Sequence, residues 1–423
     1  MATVKPFKGM RYTENAGKIN ELVCPPYDII SDEQRKEYLK TNQNNVIRLE
    51  LPREGDDVYA AAESTLKKWL ENGVVAEESE NSFYVYEEEF EIEGETKSFK
   101  GVIARVKITD FDEGVIIPHE NTLSAAKEDR YNLMCATDCN FSQIYCIFQD
   151  DGNKVSDELN KISENDAVYN FKDAENVTHR LWKTTNTATL TDLFKDKMLY
   201  IADGHHRYET ALRYRNAHRK TAVIDENADS EYVMMMLVPM ESDGLVVFPT
   251  HRIIHSLENF DGKELVSQCR EYFHAGEMTS KEVLVRNLKD EYNAGKISFG
   301  LYFSGRYFLL TLKNSTSLEQ LLPDITPALR DLDVTVLHSL ILERILGIDK
   351  ENMAKQINLK YTRDYGDAIN EVESGANCAF LLNPTRVSQI AAVGNAGAKM
   401  PQKSTYFYPK LITGLVMNKM NNK

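Results

Sequence analysis

The sequence predicts a mixed α/β fold of the α+β class, and three observations carry that prediction. The chain has 423 residues, 42% of them hydrophobic, which at roughly 150 residues per domain gives two or three domains with a core each. Aromatic and β-branched runs, such as Phe83-Tyr84-Val85-Tyr86 and Phe99 to Ile108, alternate with stretches of helical spacing. No internal repeat or low-complexity segment is visible, so solenoids and propellers do not fit.

In chain order, Ser31 to Leu39 opens with a Ser cap and acids in its first turn and reads as a helix, whereas Ile47, Leu49 and Leu51 alternate with polar residues like a strand. Asp56 to Glu71 is amphipathic and stops at Asn72-Gly73. Phe90-Glu91-Ile92 and the run from Phe99 form a hairpin that turns at Gly94. A helix-prone stretch, Ser124 to Met134, precedes a strand from Gln143 to Phe148. Asp150 to Asp166 is charged and poor in large apolar residues, which reads as an interior boundary or surface excursion, and a second boundary falls near His255 to Gly262. Beyond it come helices at Lys263 to Phe273 and Ser280 to Tyr292, strands at Ile297 to Phe303 and Tyr307 to Leu312, and a helix-rich end. Three regions result: an N-terminal α+β region over 1–150, a core region over 151–258, and a C-terminal α+β region over 259–423.

Lys+Arg 50 against Asp+Glu 65 leaves a net charge of -15, a field that repels nucleic-acid backbones and anionic lipid. A nucleic-acid partner is therefore not expected, and any bound anion needs a local cationic pocket. The N-terminus lacks an apolar signal segment and no run of apolar residues is long enough to span a membrane. Six sparse cysteines without a CxxC pair suit reduced thiols, and the expected location is the cytoplasm. No P-loop or strand-linked G-x-G-x-x-G is present, and the spacing of His251 and His255 on an extended segment does not make a zinc site.

The strongest local signal runs from Met198 to Leu212. A short apolar strand enters Asp203-Gly204, and Tyr208, Ala211 and Leu212 then fall at helical spacing. Helix N-termini offer unpaired N–H groups and the positive end of the dipole, and His205, His206 and Arg207 add donors there. Gly204 lets backbone approach an oxyanion closely, and Arg207 suits a phosphate in fork geometry. An anion is the expected guest.

This strand, turn and helix start resembles the phosphate-binding turn of the ParB and sulfiredoxin superfamily. The reactive Cys of sulfiredoxins is replaced by His205, and the acid-then-arginine pattern of ParB proteins is absent. In lettering the turn is most similar to free serine kinases, matched by Asp203, Gly204, His205 and Arg207. The whole chain resembles a widespread bacterial and archaeal family of unknown function over nearly its full length. The carrying segments are Val23 to Asp28, Pro118 to Thr122, Lys127 to Arg130, Asp203 to Ala211, Pro249 to Arg252 and Met400 to Lys410. The resemblance implies a ParB/sulfiredoxin-like nucleotide-binding core with additional α+β domains.

Other candidates surround that turn in chemistry. Pro118-His119-Glu120 places a base beside an acid after a strand, so His119 and Glu120 join His206 as catalytic candidates. Lys127 and Arg130, three apart, share a helix face as a second cationic patch or as solvated surface charge. The rigid Pro25-Pro26-Tyr27-Asp28 turn offers Asp28 as a metal contact, while nothing nearby lowers the pKa of the Cys24 thiol. Lys403, Ser404 and Thr405 suit a phosphate-gripping loop, with Tyr406 to Tyr408 equally suited to a strand. The expectation is an enzyme, a phosphotransferase taking ATP, ADP or pyrophosphate with Mg²⁺, acting on a small hydroxyl metabolite; the resemblance implies free serine or phosphoserine. The alternative is a ParB-like nucleotide-binding regulatory module without small-molecule turnover.

Overall fold

The structure, a computed structural model, describes residues 1–120, 124–221 and 225–421. The chain is mixed α/β and divides into two units. The first unit comprises Met1–Pro118, Thr122–Val246 and Pro409–Lys423, and the second His119–Asn121 and Val247–Tyr408. Among the described residues, no helix is long and apolar enough to cross a membrane.

The first unit is built on a nine-stranded sheet. Its strands are β1 (Val4–Lys5), β2 (Phe83–Ile92), β3 (Glu95–Lys107), β4 (Ile116–Ile117), β5 (Ile144–Phe148), β6 (Tyr169–Lys172), β7 (Thr178–Thr184), β8 (Leu199–Asp203) and β9 (Tyr232–Pro239). They lie in the order β4-β8-β5-β9-β3-β2-β7-β6, with β1 beside β3. Pairing is antiparallel except for β8 on β4 and β9 on β5. The long β2–β3 hairpin turns where expected, at Glu93 (φ 52) and Gly94 (φ 81), the left-handed pair that a two-residue hairpin turn requires. Every residue of β9 is buried, as its central place in the sheet demands.

Helices α1 (Asp32–Thr41), α2 (Ile47–Glu50), α3 (Val58–Glu71), α4 (Ser124–Thr137), α5 (Lys154–Ile162) and α6 (His205–Thr221) belong to this unit. Ser31 and Gln34 cap α1 reciprocally, and the Asp57 carboxylate accepts from the N–H groups of Tyr59 and Ala60 at the start of α3. Two expectations change here. Ile47 to Leu51 is helical through Glu50, because Asn45 Oδ1 accepts from Ile47 N at 2.9 Å and starts a turn; so short an apolar run fits either period. Asp150 to Asp166 is not a boundary: Asp150 accepts from Val155 N and Ser156 N, and Val155, Leu159 and Ile162 bury one face of α5 in the core beneath the sheet. Residues on both sides of position 150 thus supply strands to one sheet, and Pro409–Lys423 belongs to the same unit.

The second unit holds a six-stranded antiparallel sheet. Its strands are β10 (His251–Ile254), β11 (Phe273–Met278), β12 (Ser298–Phe303), β13 (Arg306–Leu312), β14 (Leu359–Thr362) and β15 (Cys378–Leu381), in the order β11-β13-β12-β15-β10-β14. Helices α7 (Gly262–Cys269), α8 (Lys281–Asn293) and α9 (Tyr365–Glu373) accompany it. Leu284 and Leu288 of α8 and Ala368, Ile369 and Val372 of α9 meet Ile253, Tyr302 and Leu381 in one apolar cluster. The helix expected through Phe273 ends earlier, and Phe273 opens β11, a strand the sequence reading did not separate.

Candidate functional site

Strand β8 ends at Asp203, opposite Tyr145 of β5, and α6 begins two residues later at His205. Gly204 between them has φ 94. The conformation calls for glycine, and a Cβ there, 2.9 Å from Arg207 Nε, would also displace the guanidinium. The Tyr208 N–H closes the first helical turn onto the Gly204 carbonyl at 3.0 Å. His205 is buried, and His206 and Arg207 are partly exposed.

Asp203 does more than mark the turn. Its Oδ1 accepts from Lys410 Nζ at 2.6 Å and its Oδ2 from Arg207 Nη2 at 2.8 Å. Burial opposes ionisation, but Lys410, Arg207 and His205 outweigh it and hold the carboxyl well below the usual carboxylate range. Arg207, expected to fork onto a phosphate, directs Nη2 to this carboxylate and Nη1 to the Gln143 carbonyl at 2.5 Å. Lys410 adds a cation that the reading of the turn alone did not include.

A second group of charges lies in the same unit. Arg130 of α4 is 5% exposed. It donates to the Glu50 carbonyl at 2.6 Å and to Asp129, and its guanidinium sits 4.1 Å from the centre of the Tyr27 ring. Glu50, at the end of α2, is buried and accepts from Ser142 Oγ at 2.8 Å. Burial pushes its carboxyl up, against the pull of Arg130, Ser142 and Arg207. Burial also takes the Tyr27 phenol up to about 12. Lys127, from the same helix, pairs with Glu209 at 2.7 Å. The Lys127–Arg130 pair is therefore not a solvated face: one cation is paired and the other is interior. Glu50, Arg130, Ser142, Arg207 and Thr210 line a cavity of about 40 Å³, room for a water or a phosphoryl oxygen and too small for a nucleotide. Glu50 escaped the sequence reading because its segment looked like a strand.

His119, Glu120 and Lys403–Thr405 lie in the second unit. The Lys403 N–H donates to Glu120 Oε1 at 2.7 Å, His119 Nε2 lies 3.0 Å from Thr405 Oγ1, and the Met400 N–H donates to the His119 carbonyl at 2.7 Å. Ser404 Oγ turns back to the Pro401 carbonyl. Arg252, 1% exposed, holds the same loop by donating to the carbonyls of Gln402 and Lys403. The structure thus joins His119 and Glu120 to Lys403–Thr405 within this unit, and Asp203–Arg207 to Lys410 within the first. Asn121 and Thr122, the end of the Pro118 segment, lie outside the described residues.

Cys24 is buried in a two-way backbone pairing with Thr413, and burial followed by Glu50 pushes its thiol well up, which suits structure and not nucleophilic attack. Asp28 is exposed on the short turn Tyr27–Ile29. Among the described residues, no three His, Cys, Asp or Glu side chains form a metal-holding group. Mg²⁺ is commonly held by one or two carboxylates together with substrate phosphates, and Asp28 fits that donor chemistry.

Among solved structures, the chain is similar to a free serine kinase variant in complex with ADP, at 12% identity over 76% of this chain and 92% of that one, with a TM-score of 0.38. It is also similar to a conserved hypothetical protein from Pyrococcus furiosus, at 13% identity over 75% and 95% with a TM-score of 0.36. SbnI with a C-terminal truncation, from Staphylococcus aureus, matches at 9% identity over 74% and 86%, also with a TM-score of 0.36. No curated protein matches the chain by sequence. A family model does match residues 4–335, and the chain belongs to that family, described as a protein of unknown function (DUF1015).

Proposed function

We propose that the protein is a phosphotransferase that moves a phosphoryl group between a nucleotide and the hydroxyl of a small metabolite, with free serine as the acceptor named by its turn sequence. The observation that carries this reading is the start of α6. A left-handed Gly204 and a run of His205, His206 and Arg207 meet Asp203, which is held ionised between Arg207 and Lys410. Phosphoryl transfer demands mainly positioning and charge neutralisation. In this reading the N–H groups of the first helical turn and His206 bind donor phosphate oxygens. Asp203 keeps two cations aimed at the turn.

Glu50 is the proton acceptor in this scheme. Its burial raises the carboxyl toward a useful basicity, and it lines the cavity that also holds Arg207 and Arg130. The acceptor hydroxyl gives its proton to Glu50 as its oxygen takes the phosphoryl group, and the nucleotide leaves one phosphate shorter. Asp28 would hold Mg²⁺, which would supply charge neutralisation at the donor phosphates.

Phosphorus NMR of the purified protein with Mg²⁺, serine and, in turn, ATP, ADP and pyrophosphate tests this. The expected result is a new phosphomonoester signal with at least one donor, lowered about 10²- to 10⁴-fold in rate by Glu50→Gln and strongly by His206→Ala. No new ester with any donor sinks the proposal. Slow nucleotide hydrolysis without transfer would favour a ParB-like regulatory module.

A further inference from the structure

A cavity in the second unit encloses about 420 Å³, within the range of small-molecule sites. One side is formed by the loop Lys399–Gln402, which Arg252 and His119 hold in place through the carbonyl of Gln402 and the N–H of Met400. The lining also includes Thr335 and His338, where the helix Asp333–Val336 runs into the π-helix Leu337–Glu343. Irregular helices of this kind are enriched at functional sites.

Two donors converge there. Arg252 Nε donates to His338 Nε2 at 3.3 Å, which fixes the tautomer and places the imidazole proton on Nδ1. Burial, and then the Arg252 charge, hold His338 well below the usual histidine range, so the ring is neutral. The ring lines the cavity. Thr335, 4% exposed, also lines the cavity, and its hydroxyl has no hydrogen-bond partner among the described residues. A buried hydroxyl without a partner costs about 1–3 kcal/mol, and a ligand acceptor offsets that cost. Positions 335 and 338 share a helix face.

The rest of the wall selects the ligand's body. Leu329, Met353, Tyr361 and Met400 supply apolar surface, an aromatic ring and two polarisable thioethers, a combination that favours flat, polarisable rings. Asp324 and Glu343 equal Lys350 and Lys399 in number among the lining residues, so the cavity does not select an anion. We propose that this cavity binds a neutral planar heteroaromatic ring, of the nucleobase class, whose acceptor edge takes hydrogen bonds from Thr335 and His338. The proposal stands apart from the phosphotransferase reading and survives its failure.

Saturation-transfer NMR with free adenine and hypoxanthine as probes, and benzoate as the planar anionic control, tests it on the full chain. At least one base is expected to receive saturation at millimolar concentration and benzoate none. Thr335→Val, which keeps the side-chain shape, should weaken that base about fivefold or more, since a lost hydrogen bond is worth roughly 1 kcal/mol or more. Ala354→Trp, at an exposed lining position, should abolish binding by filling the cavity, and Arg207→Ala should leave it unchanged. Thermal melts check that each variant is folded. Absence of transfer to both bases, equal transfer to benzoate, or binding that persists in Ala354→Trp overturns the proposal.

Discussion

At the residue scale, Asp203 is the hinge of the candidate site. One carboxylate satisfies two cations, one of them four residues away and the other 207 residues away. The first partner is legible in the sequence, because i and i+4 meet at a helix start. Lys410 is not, since nothing local links it to the turn. The same limit hid Glu50, whose buried contact with Arg130 spans 80 residues. Removing one partner of such a group leaves charge uncompensated. Asp203→Asn should therefore destabilise the protein by about 1–3 kcal/mol, discounted because the side chain is 20% exposed. Urea unfolding at pH 7 measures this; a change within about 0.5 kcal/mol, the scatter of surface substitutions, would show that the two cations are satisfied elsewhere.

At the element scale, periodicity located the long pieces and missed the short ones. Helices α1, α3 and α8 and the β2–β3 hairpin carry caps, turn residues and enough length for one period to win. The segment of α5 reads in sequence as a boundary or surface excursion because its apolar face is only Val155, Leu159 and Ile162; position, not number, makes it amphipathic. The β8–α6 junction was legible because its strand, glycine and helix start are contiguous. Its geometry yields a prediction at this scale. Gly204→Ala places a Cβ at φ 94 and 3.0 Å from Arg207 Nη2, so the turn must strain by about 1–3 kcal/mol and the guanidinium must move. Affinity for ADP, read by calorimetry, should fall at least tenfold, while the far-UV spectrum stays unchanged. Unaltered affinity would place the nucleotide elsewhere.

At the scale of the whole molecule, net charge describes solubility and says nothing of the buried groups that set pH dependence. Burial raises Glu88 from 4.5 to about 7, against His179 and Tyr86, and raises Asp333 from 3.8 to about 7, against Asn383 and Arg386. Burial, and then Arg252, lower His251 from 6.5 to about 3. The two carboxyls keep a proton in the folded state that the unfolded chain releases. Their stability is present below about pH 4 and is lost as pH rises to about 7. His251 has the opposite sense: the unfolded chain takes up a proton below 6.5 that the folded state refuses, so its stability is present above 6.5 and is lost as pH falls toward 3. Each group contributes a slope of about 1.4 kcal/mol per pH unit within its window. Between about pH 4.5 and 6.5 the histidine offsets one of the two carboxyls, so the combined contribution still falls with pH at about the slope of a single group. Substitution separates them. Relative to the parent, Glu88→Gln should gain roughly 3 kcal/mol of unfolding free energy between pH 4.5 and 7.5, and Asp333→Asn should gain in the same direction. His251→Asn should instead gain as pH falls from 6.5 to 4. Denaturant unfolding at these pH values measures all three; curves that run parallel to the parent would mean that these side chains titrate alike in the folded and unfolded chains.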